Sequence, residues 1–115
     1  MPVFNEMLTE DEIGQLVQQV LALSGQDHDA ALALGGVTLF ADICAACHGD
    51  LGLGNRDLGA PNLTDAIWLY GGDQAALTQT ITFARFGVMP NWKARLSEAD
   101  IRSVAIYVHG LNGGE

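Results

Sequence analysis

Two thiols and an imidazole fall within five residues, in Cys44-Ala45-Ala46-Cys47-His48, and these are the chain's only cysteines. Thiols three residues apart with an adjacent imidazole form the attachment pattern of c-type haem: each thiol adds across a vinyl group, and the histidine is brought to the iron. Two other chemistries use paired cysteines. A zinc site needs a second ligand pair at metal spacing, which His28 and His109 do not supply. A thioredoxin-type redox pair needs a βαβ context, and no alternating strand pattern longer than a few residues occurs. The pentad therefore predicts one covalently attached haem c, with His48 as an iron ligand.

The opposite axial position calls for a ligand from a distant part of the chain. Met89 is the best candidate: in Gly87-Val88-Met89-Pro90 the proline keeps the preceding residue out of helical conformation and leaves a thioether on a stiff loop. The bland role for Met89 is core filler; Met7 lies on the leading segment, and Met1 is either an initiator or the ligand of an upstream haem. Histidine plus methionine closes both axial sites, which suits outer-sphere electron transfer and disfavours oxygen activation. A ligating histidine usually donates its second ring N–H, and Gly59-Ala60-Pro61-Asn62-Leu63 offers the Pro61 carbonyl or is an ordinary loop. Leu58, Leu63, Trp68, Ile81, Phe86 and Val88 would then wall the haem. Arg56 and Arg85 are its propionate partners or simply solvated.

These groups must be held by helices. Thr9-Glu10-Asp11-Glu12 is a capping-box pattern followed by Ile13, Leu16, Val17 and Val20 at helical spacing, predicting a helix over about 10–23. Asp29 caps a second, running through Ala31, Leu34, Val37 and Phe40 toward Cys44, with Gly35 and Gly36 marking close backbone packing. Leu77, Ile81 and Ala84 line a third over about 74–86, ending at Gly87; Ser97 and Asp100 open a fourth with an apolar face of Ile101, Val104, Ala105 and Val108, closed by Gly110 and by Gly113 and Gly114. The class is all-α. Between Gly49 and Thr64 the chain reads as Gly-rich and nearly structureless, and a second irregular piece surrounds Gly87 to Lys93. Such loops in a small domain make sense when a large planar cofactor fills the centre. The aromatic supply, Phe4, Phe40, Phe83, Phe86, Trp68, Trp92, Tyr70 and Tyr107, is thin without one.

Part of the sequence repeats. A shift of 88 residues aligns Met1-Pro2 with Met89-Pro90, Leu8 with Leu96, Glu10 with Glu98, Ile13 with Ile101, Val20 with Val108, Leu23 with Leu111 and Gly25 with Gly113, without a gap. Two capped amphipathic helices can resemble each other by composition, but the shared Met-Pro favours true repetition.

With 115 residues the chain is one domain in size, and its formal charge of −9 argues against nucleic acid and anionic lipid surfaces as partners. It favours a basic-patched protein partner. Apolar runs are interrupted by Gly25, Gly35 and Gly36 or by charge, so no membrane-spanning segment is expected and no membrane contact by this segment itself. The N-terminus lacks the basic and apolar regions of a secretory signal. Because thioether attachment follows export, this reads as a piece of a longer protein. Residues 1–29 hold six acids and no Lys or Arg, as an inter-domain segment would.

Gly36, Phe40, Cys44, Cys47 and His48, followed by Met89 and a C-terminal helix bearing Tyr107, resemble the class I cytochrome c pattern over residues 30–112. The resemblance implies N- and C-terminal helices crossing at the glycine. More narrowly, Gly59-Ala60-Pro61-Asn62-Leu63-Thr64-Asp65, Ile67-Trp68-Leu69-Tyr70-Gly71-Gly72 and Arg85-Phe86-Gly87-Val88-Met89-Pro90 resemble the dihaem subunit III of cbb3-type cytochrome c oxidases. That subunit carries two c domains after a membrane anchor; neither the anchor nor an upstream Cys-x-x-Cys-His is present here. Residues 1–29 would then be the remnant of a preceding cytochrome c repeat or a linker helix, and residues 30–115 a cytochrome c domain. The resemblance implies a non-enzymatic relay of electrons from a donor cytochrome to oxidase core subunits in aerobic respiration. Its place would be the bacterial periplasm, tethered to the inner membrane in the full-length protein. A free periplasmic cytochrome c carrier is the nearest alternative, and a haem sensor or peroxidase-like protein a more distant one.

Overall fold

The computed structural model describes residues 1–111, and among them every regular element is helical. The chain forms two compact units, Met1–Arg85 and a second beginning at Phe86. In the first, helix α1 (Glu10–Leu23) carries the expected capping box: the Glu12 amide donates to Thr9 Oγ1 at 3.3 Å, and the Thr9 amide donates to Glu12 Oε2 at 2.8 Å. The Thr9 backbone N–H, reinforced by the Thr9 hydroxyl, holds the Glu12 carboxyl below its ordinary pKa. Ile13, Leu16, Val17, Val20 and Leu21 point from α1 into a core completed by Phe40, Leu63 and Leu77.

Helix α2 (Ala30–Leu39) begins at Asp29, whose carboxylate accepts from the Ala31 and Leu32 amides. Ala33, Gly36 and Phe40 are buried, whereas Leu34 and Val37 face solvent. The reason is the crossing with α1: a Cβ on Gly36 would stand 2.3 Å from the Gln15 carbonyl oxygen, so the helices meet backbone to backbone and the smallest residues must lie between them. The glycine is thus a crossing point, and the helix that crosses it is α1, from the leader.

A π-helical turn (Phe40–Cys44) and a short helix, α3 (Ala45–His48), continue α2. The run from Ala30 to His48 is 19 residues long with a mean hydropathy of 1.9, long and apolar enough by length and composition to cross a membrane. This corrects the expectation of no such run: Gly35 and Gly36 do not break it, since helix backbone bonds pass through them.

Helix α4 (Gln74–Phe83) starts at Asp73 and ends three residues earlier than expected, because Ala84, not Gly87, takes the left-handed capping conformation (φ 50°) and is itself buried. In the second unit, α5 (Glu98–Leu111) is opened by Ser97 and Asp100 as expected but passes through Gly110, and none of its side chains is buried. Its expected core face, Ile101, Val104, Ala105 and Val108, is therefore not a core face within that unit. Gly113 and Gly114 lie outside the described residues.

Gly36→Ala is expected to destabilise the chain by about 1–3 kcal/mol through overpacking. Gly14→Ala, on the same helix pair but with open space around its Cβ, should gain about 0.5–1 kcal/mol from helix propensity. Thermal unfolding of the two variants, moving in opposite directions, checks the crossing.

Candidate functional site

The pentad spans the junction where α2 changes geometry. In the π turn the Ala45 amide donates to the Phe40 carbonyl, one residue further back than in an α-helix, and the extra residue re-aims the chain. Phe40 goes into the core, Cys44 is half-buried against it, Cys47 is exposed and His48 is buried. Gly49 (φ 78°) then ends the helix. The two thiols, three residues apart, share one side of the turn and are not joined to each other.

His48 Nδ1 lies 3.0 Å from the Pro61 carbonyl oxygen. A carbonyl only accepts, so Nδ1 carries the proton and Nε2 keeps its lone pair for a metal. The loop that delivers Pro61 is closed by backbone bonds, which corrects the reading of 49–64 as nearly structureless. The Gly52 amide donates to Gly49, Gly54 to His48 and Leu63 to Gly52, while Asn55 and Ala60 exchange a pair of bonds at 2.9 Å around a 3₁₀ turn (Arg56–Leu58). Gly54 is the residue that sequence reasoning missed. It sits at φ 82°, and a Cβ there would fall 2.6–2.7 Å from the backbone of Ala60, Pro61 and Asn62. Its spacing, Gly52-Leu53-Gly54, was visible; that its partner would be the Pro61 peptide was not.

The remaining expected wall residues divide. Leu63 is buried in the protein core, and Trp68 and Ile81 pack against that core, the Trp68 indole lying where a side chain on Gly72 would be. Leu58 is mostly exposed, as are Phe86 and Val88 in the second unit. Arg85 Nη1 donates to the Tyr70 carbonyl at 3.2 Å and its guanidinium lies over the Tyr70 ring. Met89 stands in the second unit, exposed, in the non-helical stretch before Pro90. His28 is an exposed loop residue whose ring meets the Gln26 carbonyl, and His109 is exposed on α5.

The donor set fits a covalent haem. Two unlinked thiols and an oriented imidazole share one helical turn, and the first unit leaves Leu51, Leu53, Leu58, Ile67 and Leu69 largely exposed, apolar surface available to a large planar group. The thiols are unequal. Burial, with the Cys47 charge second, pushes Cys44 up to about 11.

Comparison with known proteins agrees with this chemistry. The profile of the family described as cytochrome C oxidase, cbb3-type, subunit III matches residues 31–108. The cbb3-type cytochrome c oxidase subunit CcoP of Cereibacter sphaeroides is 71% identical over 109 residues, 95% of this chain and 38% of that protein. The CcoP subunit of Rhodobacter capsulatus is 52% identical over 118 residues, 96% of this chain and 40% of its own. The FixP subunit of Bradyrhizobium diazoefficiens is 50% identical over 113 residues, again 95% and 38%. The chain thus spans about two fifths of the length of these relatives. The helical architecture and the family together give an all-α, class I cytochrome c fold.

Because the fold favours the neutral Cys44 thiol, its contribution to stability is present below pH 9 and is lost as pH rises toward the folded value of about 11. In the chain before thioether formation, iodoacetamide near pH 9 should therefore alkylate Cys47 at least about tenfold faster than Cys44. Peptide mapping by mass spectrometry reads the ratio, and equal rates would contradict the burial described here.

Proposed function

The chain belongs to the cytochrome c oxidase, cbb3-type, subunit III family, and we propose that it is a haem domain that relays single electrons toward an oxidase core without turning over a substrate of its own. The observation that carries this is the oriented imidazole: a buried His48 whose Nδ1–H is fixed by Pro61, next to two thiols on the same turn. When bound, the haem supplies a one-electron iron couple. Cys44 and Cys47 would attach one such group covalently, His48 Nε2 would hold its iron and Met89 would be the second ligand. Pro61 sets the ring orientation, with Gly54 holding the Pro61 peptide in place. Leu63 and Trp68 keep water from the buried side. Arg85 has a propionate within its chemistry, although its guanidinium is already engaged with Tyr70. Ligation by two protein groups would leave no open position on the iron, which would favour electron relay over sensing or peroxidation.

On this reading residues 30–115 are the cytochrome c domain, and residues 1–29 end a preceding c repeat or link to it. The domain works in the bacterial periplasm as part of a membrane-tethered subunit, with a donor cytochrome and oxidase core subunits as partners. The excess of acidic residues selects a donor with a basic face.

The test is expression in a bacterial periplasm with a c-type haem maturation system, followed by optical spectra of the oxidised and reduced protein. A low-spin c-type spectrum with a methionine-to-iron charge-transfer band that vanishes in Met89→Ala is the expected result. A protein without haem, a high-spin spectrum that binds carbon monoxide readily, or a band indifferent to Met89→Ala would overturn the assignment. Electron transfer from a basic cytochrome should slow as ionic strength rises; stopped-flow rates that stay flat with salt would remove the electrostatic part of the proposal.

A further inference from the structure

The Pro61 carbonyl that orients His48 is itself delivered by a turn, and one side chain closes that turn. Asn55 Oδ1 accepts from the Asp57 amide at 3.0 Å and from the Leu58 amide at 3.4 Å. The Asn55 backbone N–H and C=O both pair with Ala60, each at 2.9 Å. Asn55 is extended (φ −146°, ψ 113°), and capping the next turn while pairing across it suits Asn or Asp, whose short side chains reach amides two and three residues on. Residues 55–59 are all exposed, so hydrogen bonds rather than burial hold this turn together.

The turn leads directly to the imidazole. Asn55 stands opposite Ala60, and Gly54 before it lies against the Pro61 peptide, with the Gly54 amide on the His48 carbonyl at 2.8 Å. Beyond Pro61 the chain is pinned again, where the Leu63 amide donates to the Gly52 carbonyl at 2.7 Å. Pro61 has no N–H of its own to anchor it. Its carbonyl therefore takes its position from the two flanking pairs, and the upstream one depends on the Asn55 carboxamide. A histidine that donates its outer N–H to a carbonyl is a more basic ligand through its other nitrogen, and that basicity is one lever on the potential of a bound iron.

We propose that Asn55 is a positioning residue for the iron couple: its carboxamide closes the 55–60 turn, holds the Pro61 carbonyl on His48 Nδ1 and thereby tunes the ligand from the surface. This rests on His48 as the iron ligand and adds the residue that sets how basic that ligand is. In Asn55→Ala the freed Asp57 and Leu58 amides turn to water, so the chain still folds. The Ala60 pair frays, however, and the ring N–H is released more often. A released ring is the poorer donor of electrons, which favours reduced iron and raises the potential.

The test uses the full haem-loaded chain. Exchange of the His48 Nδ1 proton with water is read by NMR of the isotope-labelled, reduced protein, and the midpoint potential by optical titration. In Asn55→Ala exchange should quicken roughly 5-fold or more, and the potential should rise. Asn55→Asp keeps the acceptor and should hold exchange within about twofold of the original without raising the potential. Thr9→Ala removes a helix cap on α1 and should change neither, which separates positioning from a general loss of stability. Exchange and potential that ignore Asn55→Ala in a low-spin sample would overturn the proposal while leaving the haem assignment standing. So would equal changes in the Ala and Asp variants, or an equal change in Thr9→Ala. A chain that never gives a low-spin c-type spectrum overturns the haem assignment, and this inference falls with it.

Discussion

The backbone contact between Gly36 and Gln15 fixes how far apart α1 and α2 lie, and the site inherits its position from that distance. A helix held this closely can bury only small residues at the crossing, so Ala33 and Gly36 face inward and the larger Leu34 and Val37 are turned to solvent. Phe40, one turn on, is the first large side chain of this helix to be fully buried, and the π turn starting there rotates the following residues relative to a continuous α-helix. Cys44, Cys47 and His48 therefore present themselves at graded depths: half-buried, exposed, buried. A side chain on Gly36 would displace all three by moving the helix that carries them.

A second constraint closes the other side of the imidazole. Apart from one 3₁₀ turn at Arg56–Leu58, the loop from Gly49 to Leu63 has no helix or sheet to satisfy its backbone, so its amides and carbonyls pair with one another and with His48. Gly54 is the residue on which that arrangement turns, because it touches the Pro61 peptide and also donates its amide to the His48 carbonyl. The ring of His48 and its own backbone are thus held by adjacent parts of one loop. Orientation of a ligand by its outer hydrogen bond is what separates a poised imidazole from a merely buried one.

Much of this was legible in the residues. Capping chemistry is local, so Thr9, Asp29 and Ser97 could be read directly as helix starts, and α1 falls where its periodicity puts it. The haem pentad and the Pro61 carbonyl could be named because their chemistry is short-range or carried by a recognisable loop. The unread features depend on contacts distant in sequence. Which face of α2 is buried is decided by α1, not by the spacing of Leu34 and Val37; the end of α4 is decided by a buried Ala84 that accepts a left-handed conformation in place of the glycine three residues on. Gly54 looked like one of several loop glycines until its neighbour was known. The apolar length of Ala30–His48 escaped notice because two glycines were read as interruptions, although glycine lowers helix propensity without breaking the backbone ladder.

The repeat was legible too, but not its consequence. A sequence alignment treats the two copies as equivalent, whereas packing distinguishes them by their polar positions. Gln18 of the leader is buried, and its Oε1 accepts the Asp29 amide at 2.8 Å, tying α1 to the residue that caps α2. The second copy has Ile106 at the corresponding position, and Ser103 and Tyr107 where the leader has two glutamines. A buried amide with its partner contributes only modestly to net stability, whereas losing that partner costs more. The leader's hold on α2 is therefore tied to the Asp29 connection, the same short segment that starts the helix leading to Cys44.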